Sequence, residues 1–255
     1  MGAAQAYQSL ATAQKTAFGA PAYSRWVNRP LGRVLAVAAY RAGMSPNQVT
    51  LVSAAFTASG IACIAALPPS FSLGLAVTVL LALGYALDSA DGQLARLTGL
   101  GRPSGEWLDH TVDMAKICTL QGAILLSWFQ WGRPGLETSA GLLLLPLAFL
   151  TVNVLAFFGW LLSDLLIRVA RARTPGAPVP DRGPATILRS LLRTPSDYGL
   201  MLLSFLLWST TVYAYWYTAL LAANALILAL ALPTWFGQVR RAEAPAEHAA
   251  TGVAP

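Results

Sequence analysis

Eleven of the 255 residues are Asp or Glu, and five of these fall between positions 88 and 113. The string runs Asp88-Ser-Ala-Asp91-Gly92-Gln-Leu-Ala95-Arg96, then eight residues, then Gly105-Glu-Trp-Leu-Asp109-His-Thr-Val-Asp113. On helices, Asp88 and Asp91 stand i, i+3 and Asp109 and Asp113 stand i, i+4, so each pair shares one face. Four carboxylates gathered at the edge of an apolar region repel one another, and ionised acids there are costly. One or two divalent cations answer both problems, and all-oxygen ligation selects a hard ion, Mg²⁺ or Mn²⁺ before Zn²⁺. Gly92, Ala95 and Gly105 leave room beside the acids for a bulky ligand, and Arg96, one turn beyond Asp91, suits a phosphate. Acids that merely capped helices or bridged to arginines would need no Gly, Ala or Arg at set offsets.

The elements that must position these residues are membrane helices. The chain is 56% hydrophobic and 11% charged, with a mean hydropathy of +0.55; soluble domains carry about 25% charged residues. A span needs about 20 apolar residues to cross about 30 Å of hydrocarbon. Six candidates emerge, at about 48–67, 71–95, 106–130, 139–167, 197–212 and 214–237. The basic residues before the first span, between spans two and three, between spans four and five, and after span six all fall on one side. That side is cytoplasmic by the positive-inside rule, and only Arg133 lies in an outer loop. The net charge of +6 is thereby accounted for by juxtamembrane residues facing anionic lipid. There is no soluble basic domain for nucleic acid. The expectation is a multi-pass protein of the cell membrane, with both termini and the acidic cluster cytoplasmic.

Residues 1–24 read as a mobile N-terminus, 25–238 as one membrane domain and 239–255 as a disordered tail. Within 25–43 an amphipathic interfacial helix is expected, with Trp26, Val27, Leu31, Val34 and Leu35 on one side and Arg25, Arg29 and Arg33 opposite. Pro146 predicts a kink in span four. Cys63 and Cys118 read as small buried apolar groups and not as a disulfide. No cleavable signal sequence is visible.

The acidic string, written D-x2-D-G-x2-A-R-x8-G-x3-D-x3-D, resembles the signature of the CDP-alcohol phosphotransferases at all eight specified positions. The six spans, the N-terminal helix and Pro46-Asn47-Gln48-Val49-Thr50 at the head of span one are similar to that family too. The resemblance implies an all-α membrane enzyme, a homodimer, that uses Mg²⁺ or Mn²⁺, two ions by expectation. It implies a CDP-linked donor whose diphosphate sits on the metal, attack by an acceptor hydroxyl on the phosphorus distal to cytidine, and departure of CMP. By motif position Asp88, Asp91 and Asp109 would be the main metal ligands, with Asp113 the general base that also touches metal. Gly92, Ala95, Arg96 and Gly105, with Asn47 and Thr50, would form the donor side.

For the acceptor, the expected residues are Lys116, one turn beyond Asp113, and Arg189 and Arg193 before span five; the remaining loop arginines read as topological charge. The favoured donor is CDP-diacylglycerol, passing a phosphatidyl group to inositol phosphate, glycerol phosphate or a similar alcohol. The alternative is head-group transfer from a soluble CDP-alcohol to a lipid hydroxyl. Glu106 and His110 resemble the choline/ethanolamine branch locally, although His110, at i+1 from Asp109, is read as a packing residue. Asp197 reads as a helix start, and Trp131 and Trp208 as interfacial anchors. A cation or proton transporter is the non-enzymatic alternative, but transport acids favour the midplane, whereas these lie at one end.

Overall fold

The computed structural model describes residues 7, 8, 10, 20–133, 140–173 and 187–250, with side chains described as far as Ala242 except those of Ala140 and Arg189. The expected mobile segment 1–24 therefore lies for the most part outside the described residues, as does most of the Arg- and Pro-rich loop. Among the described residues there are no strands. A π-helical turn, Ser24–Asn28, leads into α1 (Arg29–Arg41), followed by α2 (Pro46–Ala66), α3 (Phe71–Thr98) and α4 (Pro103–Trp131). Then come α5 (Ala140–Arg173), α6 (Ile187–Leu192), α7 (Tyr198–Ser204) and α8 (Thr211–Ala250).

Local chemistry sets the ends. Ser45 caps α2 in a full capping box, its hydroxyl accepting from the Gln48 amide while Gln48 accepts from the Ser45 amide, and Pro46 opens the first turn. Gly99, at φ 67°, closes α3 in the left-handed conformation that glycine adopts without penalty, and Pro103 opens α4. α5 continues through Pro146. The backbone of α8 stays helical over 239–250, where a disordered tail is expected; alanine, arginine and glutamate are all good helix formers.

Among the described residues, five helices are long and apolar enough to cross a membrane: Pro46–Ala66, Phe71–Thr98, Pro103–Trp131, Gly141–Arg173 and Thr211–Ala242. The expected span 197–212 is instead the short apolar stretch Tyr198–Leu207, ended by a turn at Trp208–Thr210. The stretch is short because it starts well inside the bundle. The Tyr198 ring lies 5.1 Å from that of Tyr85, midway along α3. From there Thr78 donates to the Leu202 carbonyl, and Gly74, near the start of α3, meets the Phe205 carbonyl. These contacts keep the stretch beside one half of α3, Gly74 to Tyr85, which rises about 16 Å.

The core runs between α2, α3 and α4. Small residues allow the close approach: Ser53 donates to the Gly84 carbonyl at 2.8 Å, and a methyl on Gly84 would lie 2.2 Å from the Thr57 hydroxyl. At the end remote from the acids, Trp128, Phe205, Trp208, Tyr213 and Tyr217 form a ring-on-ring cluster. Trp208 is 1% exposed, so it is a core residue and not the expected interfacial anchor, whereas Trp131 is exposed. Arg133 is buried over the Trp128 ring, 4.5 Å from its centroid. Cys63 and Cys118 are unbridged, and Cys118 is exposed where burial was expected, because it sits on the outward face of α4.

Candidate active site

The acid pairs come together because α3 and α4 are antiparallel neighbours joined by a turn of four residues, so the last turns of one face the first turns of the other. Lys116 ties the two helices: its Nζ donates to Asp88 Oδ1 at 2.6 Å and to Asp113 Oδ1 at 2.8 Å. From α2, Thr50 donates to Asp91 Oδ2 at 2.5 Å in a buried bond. Asn47, one turn earlier, meets α4 at Gly105, where a methyl would lie 3.2 Å from Asn47 Oδ1.

The third wall is α1. Its buried residues Gly32, Ala36, Val37 and Ala39 face α3, and its exposed Leu31 and Val34, with Trp26 and Val27 of the preceding turn, face outward. Gly32 permits the approach: a methyl there would lie 2.6 Å from Ser89 Oγ and 2.7 Å from Ser89 Cβ. Gln93 holds the contact by donating to the Arg29 carbonyl at 3.1 Å. The result is a cavity of about 200 Å³ lined by Arg29, Asp88, Ser89, Asp91, Gly92, Gln93, Arg96 and Asp109. A methyl on Gly92 would meet only Arg96 Nη1, at 3.6 Å, so the floor beside the acids is open as the sequence suggested. Burial, chiefly, pulls the Arg29 guanidinium below its ordinary value. Desolvated guanidinium groups of this kind are strong anion binders.

Asp113 is held by Lys116 and does not line the cavity, nor does Ala95. His110 is a packing residue, as expected, and it also lies near two of the acids. Its ring nitrogen, Asp109 and Asp113 bring one ligand atom each within 4.8 Å of one another, and His110 Nε2 is 3.7 Å from Glu106 Oε1. Sequence position explains this: at about 100° per residue His110 is about 100° from Asp109 but only about 60° from Asp113. The ring packs edge-on against Phe157 and Trp160 of α5, and Arg168 of α5 donates to Glu106 at 2.7 Å.

Among the acceptor residues, Lys116 is at the site, whereas Arg193 is exposed at the end of α6 and does not line the cavity; the side chain of Arg189 lies outside the described residues. Arg29, Ser89 and Gln93 are cavity residues that the motif did not name. The signal for them was the small-residue spacing Gly32, Ala36, Ala39, which marks a helix face packed closely on another.

The residues fit a hard divalent ion. Asp88, Asp91 and Asp109 open onto one cavity, oxygen donors predominate, and two arginines on its rim suit an anionic ligand. The Thr50 bond to Asp91 is the kind of outer contact that orients a ligating carboxylate.

Residues 43–222 match the model of the CDP-alcohol phosphatidyltransferase family. That is well over half of the chain, so this protein belongs to the family. Its members transfer a phospho-alcohol group from a CDP-alcohol to an acceptor, and this function favours the transferase over the transporter. No curated protein matches the chain significantly.

Proposed function

We propose that this chain catalyses divalent-metal-assisted transfer of a phospho-alcohol group from a CDP-linked donor to an acceptor hydroxyl, releasing CMP. The observation that carries the reading is the single cavity that joins three of the signature aspartates to two arginines, with the open space of Gly92 between them. Asp88, Asp91 and Asp109 would hold the ion. Bound there, Mg²⁺ or Mn²⁺ would neutralise the donor diphosphate and stabilise the departing CMP. Arg96 and Arg29 hold the diphosphate oxygens, and Gly92 leaves open space for cytidine, with Ala95, Gly105 and Asn47 assigned to the donor side by motif position. The acceptor oxygen bonds to the phosphorus distal to cytidine as the bond from that phosphorus to the CMP oxygen breaks. The acceptor proton passes to Asp113, through the oxygen that Lys116 does not hold.

The first donor reading is CDP-diacylglycerol, with inositol phosphate or glycerol phosphate as acceptor. The basic residues that sequence topology places on the cytoplasmic face support it, attracting an anionic acceptor. A second reading, head-group transfer from a soluble CDP-alcohol to a lipid hydroxyl, is favoured by one observation. His110 brings a ring nitrogen close to Asp109 and Asp113, while Arg193 is away from the cavity. The reading as a whole includes a homodimer in the cell membrane with the site cytoplasmic.

The test is CMP release by purified protein in lipid nanodiscs, with CDP-diacylglycerol plus polar alcohols in one arm and soluble CDP-alcohols plus diacylglycerol in the other. Chelation should stop turnover, and Mg²⁺ or Mn²⁺ should restore it. Cation flux across liposomes with no CMP formed in either arm would overturn the transferase reading.

A further inference from the structure

The motif counts four aspartates, yet two of them are already bridged by a cation that belongs to the chain. Lys116 Nζ is 2.6 Å from Asp88 Oδ1 and 2.8 Å from Asp113 Oδ1, and its side chain is only 12% exposed. An Mg²⁺ ion takes oxygens at about 2.0–2.1 Å, so an ion bridging those same two oxygens would overlap the ammonium. Displacing Lys116 would leave an unpaired ammonium within an apolar span, which is costly. Keeping both would set a divalent ion against a buried positive charge at contact distance. The remaining acids are placed differently: Asp91 and Asp109 line the open cavity with Asp88, while Asp113, paired with the lysine, does not line it.

We infer that Lys116 fills the place of a second metal ion, so that each chain binds one divalent ion, at Asp88, Asp91 and Asp109, with a built-in ammonium bridging Asp88 to Asp113. The inference rests on the proposed transferase site and deepens it. Lys116 is then a positioning residue, holding Asp113 toward the acceptor without metal, and not the acceptor-phosphate ligand that its sequence position suggested.

The experiment counts Mn²⁺ bound to the full-length protein, by calorimetry and by the electron paramagnetic resonance of free Mn²⁺, without substrate. One ion per chain is expected for the wild type, two for Lys116→Met and one for Lys116→Arg, with each variant's fold checked by gel filtration and thermal melting. Two ions on the wild type, for instance with a second at Asp109, His110 and Asp113, would overturn the inference. So would one ion on a folded Lys116→Met, since the lysine would then not be what excludes the second. Loss of all binding in that variant overturns it too, by making the lysine a support for the single site. If Lys116→Met does not fold, Lys116→Gln and the wild-type count decide the matter on the same terms. CMP release, measured separately, tests the transferase reading, so that reading can fail while the ion count stands, and the reverse.

Discussion

Replacing Gly32 with alanine adds one methyl group on a helix that carries none of the signature aspartates, yet it should weaken donor binding. The new carbon would lie 2.6 Å from Ser89 Oγ and 2.7 Å from Ser89 Cβ, against the 3.4 Å at which ordinary contact begins. The hydroxyl can rotate away, but the Cβ is fixed to the helix, so α1 must back off α3 by about 0.7 Å. Gln93 donates to the Arg29 carbonyl at 3.1 Å, and that shift carries the bond beyond useful length, at a cost of about 1 kcal/mol. Arg29 leaves the rim with it. A charge-assisted hydrogen bond is worth about 1.5–3 kcal/mol, and 1.4 kcal/mol is tenfold in affinity, so the donor KM should rise about 10- to 100-fold. The assay is CMP release against donor concentration at saturating metal, for Gly32→Ala, Ser89→Gly and the double variant. Removing the Ser89 side chain vacates the space the methyl needs, so the double variant should recover most of the lost affinity. An unchanged KM in Gly32→Ala, or no recovery in the double variant, would refute the role given to α1.

Asp113→Asn should lower CMP formation by about 10²- to 10⁴-fold while donor binding, measured by equilibrium dialysis, stays within a few-fold. Thr50→Val removes the bond to Asp91 Oδ2 with little change in shape. It should weaken metal affinity about 10- to 100-fold, read as a rightward shift of the Mn²⁺ activation curve. Asp197→Ala leaves the Ser24 and Gly199 amides without their acceptor, at a cost of about 1–3 kcal/mol; the melting midpoint should fall, and limited proteolysis should cut near residue 24 faster. Gly199→Ala would press a methyl 2.0 Å from the Tyr23 ring and should loosen the same segment; proteolysis at the wild-type rate would count against the contact.

The acid motif was legible because helix geometry alone relates i to i+3 and i+4, and the short α3–α4 connection leaves little freedom in how the faces meet. The helical, membrane-spanning character was legible from composition for a similar reason, since it depends on runs and not on contacts. Arg29 was not legible: its chain position suits a lipid-facing arginine equally well, and only the contact of Gly32 with Ser89 turns it toward the acids. Hydropathy measures the length of a run but not the depth at which it begins, so the short candidate 197–212 reads as a span, whereas the Tyr85–Tyr198 contact shows that it starts inside the bundle. His110 packs on Phe157 and Trp160 as its divergence from Asp109 predicts, and its offset of about 60° from Asp113 accounts for its nearness to that acid.

Asp197 accepts from the backbone amide of Ser24 at 2.9 Å, across a separation of 173 residues. It is buried, and it also caps α7. Burial lifts its carboxyl above the usual carboxylate range, against the pull of the amides it accepts from. This clasp imposes an order of assembly. During synthesis α1 can settle on α3 once residue 98 has emerged, but its leading turn has nothing to fasten to until residue 197 has followed. The wall of the cavity that carries Arg29 is thus secured only when four of the five long helices are already made. A chain stalled before that point holds all four signature aspartates, yet lacks the fastening that keeps its donor pocket closed on one side.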